Sequence, residues 1–71
     1  MREWLKAKRT EKGLTMAQMA EKLSITESYY SYIEAGERQK KMDVSLVGKL
    51  SAALDIPVEE IFRQEALLWS A

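Results

Sequence analysis

Between residues 14 and 38, apolar positions recur every three or four residues in two short blocks, each opened by a threonine. That spacing gathers apolar side chains on one face of a helix. Met16, Met19, Ala20 and Leu23 predict a first helix over about residues 16–23. Thr15 is placed to cap it, and Gln18 three residues on completes a Thr-x-x-Gln capping box. Leu14 before the cap and Met19 at the fourth helical position are spaced for a hydrophobic staple. Thr26, flanked by Ile25 and Tyr30, repeats the grammar and opens a second helix over about 27–35. Tyr30 and Ile33 form its inward face with Tyr29 at the margin, and Gly36 ends it in the left-handed conformation.

The same periodicity predicts three further helices and no strand. One runs over about 2–12, with Trp4, Leu5 and the stems of Lys8 and Arg9 near one face and Gly13 as its C-cap. Asp43 caps another, whose core stripe is Val44, Val47, Leu50, Ala53 and Leu54. Pro57 marks the start of the last, where Glu59 and Glu60 suit the helix N-terminus and Ile61 and Phe62 face inward. The polar run Glu37–Arg38–Gln39–Lys40–Lys41 is the longest irregular stretch. The expected architecture is a single all-α domain over residues 1–71, with five helices, a core at about 4–62 and an apolar C-terminal tail at 63–71. Its two middle helices, separated by Ser24 and Ile25 alone, are too short to stand by themselves. They must pack at a steep angle, as a helix-turn-helix.

Composition narrows the chemistry. With no cysteine and no histidine, zinc sites, disulfides and Ser-His-Asp or Cys-His arrangements are out of reach. Only carboxylate or lysine chemistry is left, and no constellation for it is visible, so no enzyme and no cofactor is expected. No apolar run approaches the roughly 20 residues of a membrane span, and a cytoplasmic protein is expected. The formal net charge is zero. Its distribution is uneven: residues 1–41 hold nine Lys/Arg against six Asp/Glu (+3), and residues 42–71 hold two against five (−3). A dipolar domain with one phosphate-facing side fits that asymmetry, and so does ordinary solvated helix surface.

Taken together, Arg9-x3-Gly13-Leu14-Thr15, Ala20-x2-Leu23 and Ser28-Tyr29-Tyr30-Ser31-x-Ile33-Glu34-x-Gly36-x-Arg38 resemble the Cro/C1-type (XRE) helix-turn-helix family. The Tyr-Tyr-Ser-x-Ile-Glu-x-Gly-x-Arg run is most similar to small repressors of prophages and mobile elements in bacteria. The resemblance covers about residues 4–62 and implies a five-helix, lambda-repressor-like DNA-binding domain. It also implies a structural ion pair between Arg9 and Glu34. By the same resemblance, Glu27, Ser28, Tyr29 and Tyr32 on the outward face of the second motif helix would read base edges. Phosphates would be met by backbone N–H groups around Thr15, Met16 and Ala17, and by Arg38, Gln39, Lys40 and Lys41 in the loop that follows.

Several positions depart from the family pattern. Met16 stands where a glutamine is common, and Gln18 is committed to capping. Ser24 replaces the turn glycine, Ala35 replaces a polar residue, and Glu37 replaces a lysine. The leading expectation is a sequence-specific double-stranded DNA-binding repressor, a homodimer on its operator and nucleoid-associated when bound. The alternative is a protein-interaction module of the same fold with weak or lost DNA binding, antirepressor- or antitoxin-like, which would bring a protein partner. The Leu67–Leu68–Trp69 tail fits a dimer surface or packing back over Trp4 within one chain.

Overall fold

The computed structural model of the chain describes residues 1–36 and 43–69. Five helices follow one another: α1 (Glu3–Glu11), α2 (Met16–Leu23), α3 (Glu27–Ala35), α4 (Val44–Leu54) and α5 (Val58–Trp69). No strand occurs among the described residues. α2 and α3 pack on each other across their short turn, α4 lies against α2, and α5 lies against α4.

Local chemistry sets each helix end. Thr15 Oγ1 accepts from the Gln18 N–H at 3.1 Å while Gln18 Oε1 accepts from the Thr15 N–H at 2.9 Å, so the capping box is complete. Thr26 accepts from the Tyr29 N–H at 3.1 Å and Asp43 from the Leu46 N–H at 2.7 Å. At the end of α1, Gly13 lies at φ 72°. There the Leu14 N–H reaches the Arg9 carbonyl and the Gly13 N–H reaches that of Thr10, the paired bonds of a Schellman motif. The same pair closes α2, from Ile25 to Ala20 and from Ser24 to Glu21. Here the left-handed position is filled by Ser24 at φ 59°, without the freedom of glycine. The family's turn glycine is therefore replaced at a position that still demands positive φ.

The core consists of Leu5, Met19, Ala20, Leu23, Tyr30, Ile33, Leu46, Val47, Leu50, Leu54 and Ile61. Trp4, Leu14, Met16 and Ile25 are half-buried against it. Two inward assignments are corrected. Val44 is 84% exposed, because the buried row of α4 is Leu46, Val47, Leu50 and Leu54. Val44 sits roughly 100° around the helix axis from the centre of that row. Phe62 is 54% exposed, since α5 turns Val58, Ile61, Glu65 and Leu68 inward and Phe62 follows Ile61 by one residue. α1 is one residue shorter at each end than the periodicity suggests, and Arg2 lies outside it. α5 runs on through Trp69, so residues 63–69 belong to the last helix.

Candidate nucleic-acid interface

Helix α3 is amphipathic in an unusual way, because its buried side includes a carboxylate. Tyr30 and Ile33 are buried in the core, and Glu34 beside them is only 1% exposed. An uncompensated carboxylate there would be expensive. Glu34 accepts from Arg9 Nε at 3.0 Å, from Arg9 Nη2 at 3.3 Å and from the Tyr30 hydroxyl at 2.7 Å. Arg9 also donates to the Leu14 carbonyl at 2.8 Å, tying the α1–α2 connection to the same group. The hydrogen bond to Glu34 raises the Arg9 pKa further, so the guanidinium stays charged. Burial, then the hydrogen bond to Glu34, pushes the Tyr30 phenol well above its usual value. The group has no exposure to a substrate, and its chemistry is architectural: it locks α3 to α1.

With that side held, the opposite side of α3 faces solvent. Glu27 and Ser28 in the first turn are exposed, and so are Tyr29 at 42% and Tyr32 at 39%. The structure thus gathers Glu27, Ser28, Tyr29 and Tyr32 on one helix in open positions. Thr15 and Ala17 at the start of α2 are exposed, whereas the Met16 side chain is half-buried against the core. The capping box occupies the N–H groups of Thr15 and Gln18. Those of Met16 and Ala17, in the first turn, have no intrahelical partner by the geometry of a helix start. A shallow open cleft lies in the elbow of α2 and α3, lined by Ala17, Gln18, Ala20, Glu21, Ile25 and Glu27. Arg38, Gln39, Lys40 and Lys41 lie outside the described residues.

Sequence reasoning missed a second buried arginine. Arg2 is fully buried. Its Nη1 donates to the Ile33 carbonyl at 2.6 Å and its backbone N–H to the Glu34 carbonyl at 2.8 Å. Its Nε and Nη2 reach the Glu65 carboxylate at 2.9–3.1 Å, and Trp4 Nε1 donates to the same carboxylate at 2.8 Å. One signal was available in the sequence. Glu65 falls on the helical row of Val58, Ile61 and Leu68, and a charge on an apolar row calls for a buried partner. Nothing local names Arg2 as that partner, because the two residues are 63 positions apart.

The comparisons with known proteins bear on the fold. A family model described as Helix-turn-helix matches residues 5–61. The uncharacterized HTH-type transcriptional regulator YqaF of Bacillus subtilis (strain 168) is 44% identical over 45 residues, which are 63% of this chain and 59% of YqaF. The match therefore spans under two thirds of that curated relative. No solved structure matches the chain.

Proposed function

The chain belongs to the helix-turn-helix family, and we propose that it binds double-stranded DNA sequence-specifically as a transcriptional repressor, with α3 in the major groove. The observation that carries the reading is the two-sidedness of α3. One side is fixed in the core through Tyr30, Ile33 and Glu34, while Glu27, Ser28, Tyr29 and Tyr32 stand exposed. A rigid helix whose outer side chains are free to meet another surface is what groove insertion requires. Glu27 would accept from a cytosine amino group, Ser28 would bond to several bases, and a tyrosine ring would pack on a thymine methyl. The Met16 and Ala17 N–H groups and the Thr15 hydroxyl would meet phosphate at the start of α2. Arg38, Gln39, Lys40 and Lys41 would add phosphate contacts.

The proposed bound form is a homodimer on half-sites about one helical turn, roughly 34 Å, apart. Occupation of a promoter would be the mode of repression, within the bacterial cytoplasm. No described helix is long and apolar enough to cross a membrane.

A second reading, a protein-interaction module, draws on the acidic side chains Glu21 and Glu27 that line the elbow cleft and on the net charge of zero. Selection from a random duplex library by the purified chain, with the winners retitrated at two salt concentrations, separates the two. An enriched two-fold-symmetric site with a clear salt slope is the expected result. No enrichment, with only weak salt-sensitive binding, would reject the sequence-specific reading and favour a protein partner.

A further inference from the structure

The last turn of α3 is held by a cation that belongs to neither motif helix. A helix leaves its final carbonyls without intrahelical partners, and they carry the negative end of the helix dipole. In α3, the carbonyls of Ile33 and Glu34 both receive donors from Arg2, at 2.6 Å from Nη1 and 2.8 Å from the backbone N–H. The other edge of the same guanidinium is fixed by Glu65 in the second half of α5. Gly36, which ends α3 at φ 64°, sits so close that a Cβ there would lie 3.4 Å from Arg2 Nη1 and 3.8 Å from Met1 Cα. The N-terminal residues, the end of α3 and the second half of α5 thus meet at one buried guanidinium.

We propose that Arg2 is a positioning residue for DNA recognition. Bridging the last turn of α3 to Glu65, it sets the angle at which the outer side chains of α3 meet the groove. The inference rests on the DNA reading above and adds to it a residue that touches no DNA. Arg9 holds the side chain of Glu34, and Arg2 holds the backbone at the end of the same helix, so the two arginines constrain different motions. Losing Arg9 unpairs a core charge. Losing the Arg2 side chain takes the donor from the Ile33 carbonyl and cuts the connection of α3 to α5, leaving the end of α3 on the backbone N–H of residue 2 alone, with freedom to tilt. Because both ends of the bridge are specified, a disturbance of α5 near Glu65 reaches α3 through the same contact.

This role has its own signature. An arginine on phosphate contributes about one unit to the salt slope of binding, and a buried positioning arginine contributes none. A residue that only stabilises the fold changes the unfolding midpoint and leaves discrimination between sequences alone. The experiment takes the duplex best selected by the wild-type chain and a scrambled duplex of equal length. Affinities of wild type, Arg2→Gln and Glu65→Gln are measured by fluorescence anisotropy at two salt concentrations, at a temperature where circular dichroism shows each variant folded.

The expected result for Arg2→Gln is a roughly tenfold fall in the ratio of selected to scrambled affinity, in the range of couplings carried through packed networks, with the salt slope unchanged. Glu65→Gln, which leaves Arg2 on the α3 carbonyls, should fall in the same direction by less. If Arg2→Gln does not fold, Glu65→Gln decides by the same ratio. An unchanged ratio in the folded variants overturns the positioning role, and a salt slope reduced by one reassigns Arg2 to phosphate. A wild-type chain that selects no duplex overturns the DNA reading itself and this inference with it.

Discussion

Replacing Arg9 by methionine removes the principal partner of a buried carboxylate while keeping an unbranched stem in its place. Glu34 would then retain the Tyr30 hydroxyl at 2.7 Å and lose the two guanidinium donors at 3.0 and 3.3 Å. Breaking one side of a buried pair typically costs about 3–5 kcal/mol, because the remaining charge stays desolvated. At about 0.05–0.15 kcal/mol per residue, a 71-residue domain has about 4–11 kcal/mol of total stability. Arg9→Met is therefore expected to remove between about a quarter and all of it. Glu34→Leu alone strands Arg9 in the same way and should be comparably severe.

The double variant Arg9→Met with Glu34→Leu leaves no unpaired charge. It should be more stable than either single variant, short by the orphaned Tyr30 hydroxyl, about 1–3 kcal/mol, and by the donor that the part-buried Leu14 carbonyl loses with Arg9. Adding Tyr30→Phe should bring the chain back to within about 1–2 kcal/mol of wild type, since an apolar replacement of a buried ionic group is often neutral. Urea unfolding followed by far-UV circular dichroism measures each step. Losses below about 1 kcal/mol for Arg9→Met, or single losses that simply add in the double variant, would refute the reasoning. The pair would then behave like a solvated surface bridge.

Four further outcomes are expected. Gly48 lies inside α4, exposed, and a Cβ there would enter open space beyond its own helix backbone; Gly48→Ala should raise stability by about 0.5–1 kcal/mol in the same urea assay, and a loss would contradict the open space. Ser24→Gly should stabilise by about 0.5–1 kcal/mol, because relief of about 1–2 kcal/mol of left-handed strain exceeds the extra freedom glycine brings to the unfolded chain; a lowered urea midpoint would show that the serine is not strained. The raised Tyr30 phenol contributes stability that is fully present below the unfolded value of about 10 and is lost as pH climbs above it. Wild type should therefore lose more of its urea midpoint between about pH 9 and 11 than Tyr30→Phe, and parallel declines would count against it. Tyr32→Ala should relax preference at one base position of the selected site at a cost of about 1–3 kcal/mol, and a uniform loss on every duplex would remove Tyr32 from the readout set.

Legibility in the sequence followed the range of the interaction. The starts of α2 and α3 and the end of α3 were readable to the residue, because a capping threonine and a terminal glycine act within four positions of where they stand. The inward placement of Tyr30 and Ile33 was readable from helical period alone. The same period misplaced Val44 and Phe62, since it names a face without saying which arc of it another helix covers. The sequence showed a serine in place of the turn glycine, and the backbone decided that the position keeps a positive φ.

For the site, the sequence by itself determined the inward face of α3 through the spacing of Tyr30 and Ile33, whereas Glu27, Ser28, Tyr29 and Tyr32 were singled out by family resemblance. The Arg9–Glu34 pairing came from family resemblance, since nothing in the local spacing selects one arginine for one glutamate 25 positions away. Only the tertiary structure decided the fate of Arg2. Its two sets of partners lie near residue 33 and at residue 65, and a buried charge is placed by the helices that converge on it, whereas a cap is placed by its own neighbours.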